Sequence, residues 1–189
     1  MSTLSSASGA HHDVSAVELN FRPREEVDAP TEILQTYVMS TEAGLFVDKN
    51  GVHIGNYGFN NVTYRNQIGY PLIQQVQDGH AIDGQYVAHS TFDQMGGGDI
   101  VINNLDAPGF NPILFEPISH PFHLHGKPFF IVARGNGTMT KEQWEASRDE
   151  LAQTSNPLRR DVLEIPGGAW AVLRKWCSFV CVLPWTWRL

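Results

Sequence analysis

Three imidazoles fall within six residues in the run His120-Pro121-Phe122-His123-Leu124-His125-Gly126, and imidazole is the commonest biological metal ligand. In an extended strand, side chains alternate between faces, so His123 and His125 project the same way while Leu124 turns to the other. Those two rings can serve one metal cluster. His120 precedes His123 by three residues with Pro121 between them; it is out of phase with the pair and suits a second centre. Neutral imidazole binds copper, zinc, iron and nickel alike, so ligand type leaves the metal open, although the run as a whole looks like a copper site. A bare His-x-His is more often an ordinary surface or hydrogen-bonded pair, and the full run is what moves the reading to metal.

The elements that must position these residues read as short strands separated by turns. Residues 33–39, 52–57, 62–64, 85–89, 99–104, 128–134, 161–165 and 169–174 are rich in β-branched or aromatic side chains. Turn signals stand between them at Lys49-Asn50-Gly51, Asp83-Gly84, Gly96-Gly97-Gly98, Pro108-Gly109, Gly135-Asn136-Gly137 and Pro166-Gly167-Gly168. Such spacing predicts an all-β Greek-key sandwich or barrel. One short helix interrupts it: Thr140 suits an N-cap, Glu142 and Glu145 suit the positive end, and Trp144, Leu151 and Ala152 line one face before Asn156-Pro157. Arg159-Arg160-Asp161 reads as a structural hydrogen-bonded group at a strand entry. Phe122, Phe129 and Phe130 read as core.

A chain of 189 residues can bury one sound core. Its formal charge of −7 supplies no basic field for nucleic acid. Residues 1–29 read as a flexible leader or interdomain remnant, with His11-His12 in a solvated Ser/Ala/Gly-rich end. No basic start followed by an apolar core marks a secretory signal peptide in residues 1–13. His53, His80 and His89 stand singly and read as structural. Asn61-Val62-Thr63 and Asn136-Gly137-Thr138 are glycosylation sequons.

Several segments around the histidine run resemble the C-terminal cupredoxin domain of multicopper oxidases, the laccase, ferroxidase and ascorbate oxidase family. They are Gly58-Phe59-Asn60-Asn61-Val62-Thr63-Tyr64, the strand Gly98–Asp106, Lys127–Val132, Asn156–Val162 and Pro166–Arg174. The resemblance covers residues 30–174 and implies a cupredoxin fold. Carried over by position, it implies that His120 is a ligand of a mononuclear type 1 copper, His123 of a type 2 copper and His125 of a type 3 copper. It further implies electron donors that are phenols, related aromatics or Fe(II), with dioxygen as acceptor, and a secreted location. Iron-oxidising members place a carboxylate four residues before the first histidine of the run; that position here is Glu116, which otherwise reads as a solvated loop acid.

The resemblance weakens at both ends. A type 1 site joins a thiolate to two imidazoles, and the family places its cysteine in a His-Cys-His segment; here no histidine follows His125, and Cys177 and Cys181 lack histidine neighbours. Lys127 stands where a histidine often follows the run. Residues 175–189 hold three tryptophans and two cysteines within their last fourteen positions and read as an aberrant tail from a frameshift, a retained intron or a truncated gene model, or else as an apolar cap. Pro184 and Arg188 interrupt that tail, which is too short for a membrane span. Two functions follow: the copper-binding domain of a laccase-like oxidase, inactive as an isolated fragment, or a non-catalytic cupredoxin-like module with vestigial ligands.

Overall fold

Nine consecutive buried residues form β4 (Gly96–Asn104), the strand around which the rest is arranged. Its branched side chains alternate, so Ile100 and Ile102 enter one apolar cluster while Val101 enters another on the opposite face. A strand covered on both faces reads as a continuous apolar run, which is how 99–104 was legible. This computed structural model describes residues 20–47, 50–63, 68–84, 87–92, 95–125, 128–177 and 181–184.

The main sheet has six strands in the order β2-β1-β4-β9-β6-β7. They are β1 (Ile33–Val47), β2 (His53–Phe59), β4, β6 (Phe129–Asn136), β7 (Arg159–Arg160) and β9 (Ala169–Cys177). β1 runs parallel to β4, and the other neighbours are antiparallel. Two further ladders pair β3 (His89–Phe92) with β10 (Cys181–Pro184), and β5 (His120–His123) with β8 (Val162–Ile165). Side chains of the main sheet meet Phe92, Phe122, Leu124, Leu163 and Ile165 from these ladders in a single core, the layered packing of a β-sandwich. On the other face, Val101, Val132, Trp170 and Val172 pack with Trp144 of a helix. A bulge in β6 between Ile131 and Ala133 puts both Val132 and Ala133 into that second cluster.

The glycines at 96–98, expected as a turn, are strand residues. A Cβ on Gly98 would lie 2.1 Å from the Phe92 ring, and one on Gly97 would lie 2.4 Å from the Glu32 carbonyl. Glycine here permits close approach rather than reversal. The sheet also runs past Arg174: β9 continues to Cys177, and the backbone of Cys181–Pro184 pairs with β3.

The expected helix is present as Lys141–Leu151, preceded by a shorter one at Leu72–Gln77. These are α2 and α1. Thr140 caps α2 in a capping box with Gln143, and Trp144 is fully buried. Leu151, expected on the packed face, is 41% exposed at the helix end. Six-residue α1 is too short for helical periodicity to register and has no side-chain cap. Residues 22–29 lie against the loop at 153–159: Ala29 N–H donates to Thr154 O, Asn156 N–H to Asp28 Oδ1, and Arg159 Nη2 to Glu25 O.

One buried ion pair joins these layers. Asp99 and Arg174 face each other across β4 and β9, 0% and 1% exposed. Arg174 donates from Nε to Oδ1 at 2.7 Å and from Nη2 to Oδ2 at 2.9 Å, a two-pronged contact. Trp144 Nε1 also donates to Asp99 Oδ2 at 2.8 Å, and Arg174 Nη1 to Pro30 O at 2.8 Å. Removing one member strands a buried charge, which costs about 3–5 kcal/mol. Arg174→Met is therefore expected to lower unfolding stability by about that amount, and Trp144→Phe by about 1.5–3 kcal/mol, the range for a bond to a charged group. Urea unfolding checks both; a wild-type midpoint in Arg174→Met would contradict this role.

Candidate metal centre

β5 carries the histidine run, and its exposure alternates as its register requires. His120, Phe122 and Leu124 are buried, while Pro121, His123 and His125 are exposed. The strand pairs with β8 in the register His120↔Ile165, Phe122↔Leu163 and His123↔Val162. His123 and His125 share a face, with ring centroids 4.8 Å apart. His120 turns inward, its ring edge-on to Tyr57 at 5.3 Å. The structure thus brings together His123 and His125 and places His120 apart from them.

His120 meets a carboxylate that spacing alone did not reveal. Its Nε2 lies 2.6 Å from Asp106 Oδ2, both side chains buried. Asp106 Oδ1 accepts the Ala43 N–H at 2.7 Å and Asn111 Nδ2 at 2.9 Å. Burial drives the Asp106 carboxyl up, but hydrogen bonds from His120, Ala43 and Asn111 outweigh it and hold the carboxyl below its ordinary value. The stabilisation from that lowering is present above the ordinary carboxylate range and is lost as pH falls through the lowered folded value.

The backbone around this pair is pinned by Asn104 at the end of β4. Its Nδ2 donates to Ile118 O and Ile165 O, each at 2.8 Å, and its Oδ1 accepts the Asp106 N–H at 3.0 Å. Ile118 N–H donates to Asp106 O at 2.8 Å. At Gly167 a Cβ would stand 2.1 Å from that same Asp106 carbonyl, so the turn before β9 must present glycine. These bonds place the entry to β5 against the end of β4.

His123 is oriented from the opposite direction. Its Nδ1 lies 2.7 Å from the Asp161 carbonyl, which also accepts the Leu124 N–H at 3.1 Å. A carbonyl only accepts, so Nδ1 carries the proton and Nε2 the lone pair. At His120 the partner is a carboxylate, so the neutral ring donates from Nε2 and carries its lone pair on Nδ1. Metal-binding histidines commonly have the second nitrogen held in this way. Imidazole is a ligand type that copper takes, and two of the three rings have a held nitrogen, but among the described residues neither the His123–His125 pair nor His120 is joined by the further ligands that would complete a centre. Lys175 Nζ reaches the His125 carbonyl at 3.4 Å.

The other sequence candidates lie elsewhere. Glu116 is exposed on the loop before β5, and the carboxylate in contact with His120 is Asp106. Among the described residues, no group of three or more His, Cys, Asp or Glu side chains is gathered for a metal. His11, His12 and Lys127 lie outside the described residues. His80 stacks edge-on with Tyr70, His89 Nδ1 approaches Val87 O at 3.2 Å, and His53 is exposed at the start of β2. The sequon residues Asn61 and Asn136 are both exposed. Asp161, expected to act structurally, does so through its carbonyl on His123.

Residues 83–188 match the family described as multicopper oxidase. Laccase-1 of Cryptococcus neoformans var. grubii is 41% identical over 152 residues, covering 80% of this chain and 22% of that protein. Laccase-2 of the same fungus is 40% identical over 156 residues, covering 80% of this chain and 24% of that protein. The chain therefore spans less than a quarter of these relatives' length. The fold is similar to the crystal structure of a laccase from Botrytis aclada, with a TM-score of 0.62 at 21% identity over 84% of this chain and 26% of that one. Fet3p, a multicopper oxidase that functions in iron import, gives a TM-score of 0.56 at 20% identity over 84% of this chain and 29% of that one.

Because Asn104 satisfies two buried carbonyls and one amide, Asn104→Ala is expected to cost about 1–3 kcal/mol for each group left without a partner. It should also release the entry to β5. Thermal unfolding together with hydrogen exchange at the Ile118 amide checks this; unchanged exchange at Ile118 in a destabilised variant would show that Asn104 does not pin that segment.

Proposed function

This chain belongs to the multicopper oxidase family, and from that premise we propose that it contributes the 120–125 copper ligands of a laccase-like oxidase. His120 serves a type 1 centre from the buried face of its strand. His123 serves a type 2 copper and His125 a type 3 copper from the exposed face. Copper supplies one-electron transfer from a phenolic or aromatic donor, or from Fe(II), to dioxygen. The observation that carries this reading is the division of the run between two faces, with each oriented ring held by its other nitrogen.

This chain's own residues orient and shield. Asp106 and Asn111 fix His120 in a buried polar pocket, and the Asp161 carbonyl turns His123 Nε2 outward. Phe122 and Leu124 anchor the segment in the core, so His123 stands on the β5–β8 ladder and His125 just beyond its end. No helix among the described residues is long and apolar enough to cross a membrane. We include an extracellular location in this reading, with which the exposed asparagines of the two sequons, Asn61 and Asn136, agree.

A cupredoxin-like module with vestigial ligands would share the fold but not the affinity. Calorimetric titration of the chain with Cu(II) separates the two. Replacing both His123 and His125 by alanine is expected to remove most of the binding, while replacing His11 and His12 should remove only what a leader site holds. Unchanged binding in the first variant, with loss in the second, would contradict the copper-site reading and favour the vestigial module.

A further inference from the structure

We infer that Asp106 is a positioning residue that sets which nitrogen of His120 is presented for coordination. The inference rests on the reading of His120 as a copper ligand. Asp106 precedes His120 by 14 residues and is fully buried. Its orientation leaves little choice: Oδ1 is claimed by two donors, the Ala43 N–H at 2.7 Å and Asn111 Nδ2 at 2.9 Å. Asn111 is itself held, since its Nδ2 also donates to the Ala43 carbonyl at 2.7 Å. The Asp106 amide and carbonyl are both bonded, to Asn104 Oδ1 and Ile118 N–H. Oδ2 is thereby aimed at His120 Nε2.

A neutral imidazole has one N–H and one lone pair. With Nε2 at 2.6 Å from a carboxylate oxygen, the opposite tautomer would set two acceptors against each other. On a neutral ring the proton is therefore on Nε2, and Nδ1 carries the lone pair that a metal would take. A carboxylate partner also strengthens the ring as a ligand, as in other carboxylate–histidine–metal arrangements. His123 has the reverse arrangement, with Nδ1 held by a carbonyl and Nε2 presented. One strand thus offers different nitrogens to its two faces, and the residue that enforces the difference at His120 is Asp106.

Asp106→Asn tests this, because the two are nearly the same shape. The fixed donors Ala43 N–H and Asn111 Nδ2 claim the single amide oxygen, which turns the amide NH2 toward His120. The ring must then accept at Nε2 and carry its proton on Nδ1. The readout is the two-bond 1H–15N spectrum of metal-free chain with 15N-labelled histidine, recorded where the rings are neutral, with His120 assigned by its loss in His120→Gln. Wild type should show Nε2–H at His120 and Nδ1–H at His123. Asp106→Asn should invert His120 alone while keeping its circular dichroism and a cooperative melt.

A purely structural Asp106 would lower the melt without moving the tautomer. Folded Asp106→Asn that keeps Nε2–H would overturn the inference. If that variant does not fold, the wild-type spectrum still decides, because Nδ1–H at His120 overturns it and Nε2–H upholds it. Anaerobic addition of Cu(I), which is diamagnetic, tests the underlying reading separately. A 15N shift at His120 Nδ1 in wild type that is lost in Asp106→Asn supports both. No shift in wild type, with the inversion intact, sinks the copper assignment of His120 while the tautomer control stands.

Discussion

A single buried carboxylate, Asp106, joins the end of β4 to β1 through the Ala43 amide, to the following loop through Asn111, and to β5 through His120. Each bond alone is ordinary. Together they make burial of a charge tolerable, because every strong acceptor position that faces inward has a donor. The same set of bonds fixes the height and rotation of β5 relative to the main sheet. Phe122 and Leu124 then complete the core, and His123 and His125 stand outward as a consequence of strand alternation.

The second buried charge, the Asp99–Arg174 pair, acts at the other end of β4. It ties the sheet to α2 through Trp144 and to the incoming chain through Pro30. The two carboxylates divide the work: one holds the layers in register, the other holds the site. β4 carries Asp99 and leads directly into the turn that holds Asp106, and it lies inside the sheet with its residues buried throughout. A polar residue there is either paired or costly, and Asp99, Asn103, Asn104 and then Asp106 all have partners.

Much of this was legible in the chain. Alternation within 120–125 separated His120 from the other two rings, and the Thr140 cap with Trp144 announced α2. The branched run at 99–104 gave the central strand. What sequence could not supply were contacts between distant residues. Nothing in the spacing connects Asp106 with His120; the available signal was an acid two residues past a buried strand, which reads equally well as a turn residue. Gly96-Gly97-Gly98 shows the same difficulty, since glycine marks either a reversal or a close approach and only the Phe92 ring and the Glu32 carbonyl decide between them. Glu116 was four residues from His120 in sequence, yet the carboxylate that reaches the ring comes from 14 residues away.

If the histidine run is divided between two faces of its strand, the positions of bound copper must report that division. Crystals of the copper-loaded protein, measured on either side of the copper absorption edge, give the metal positions by anomalous scattering alone. Copper should lie on the exposed face against His123 Nε2 and His125, with any copper at His120 on the separate, buried side and approached through Nδ1. A single copper bound jointly by His120, His123 and His125, or copper at His120 through Nε2 with the Asp106 contact broken, would contradict it.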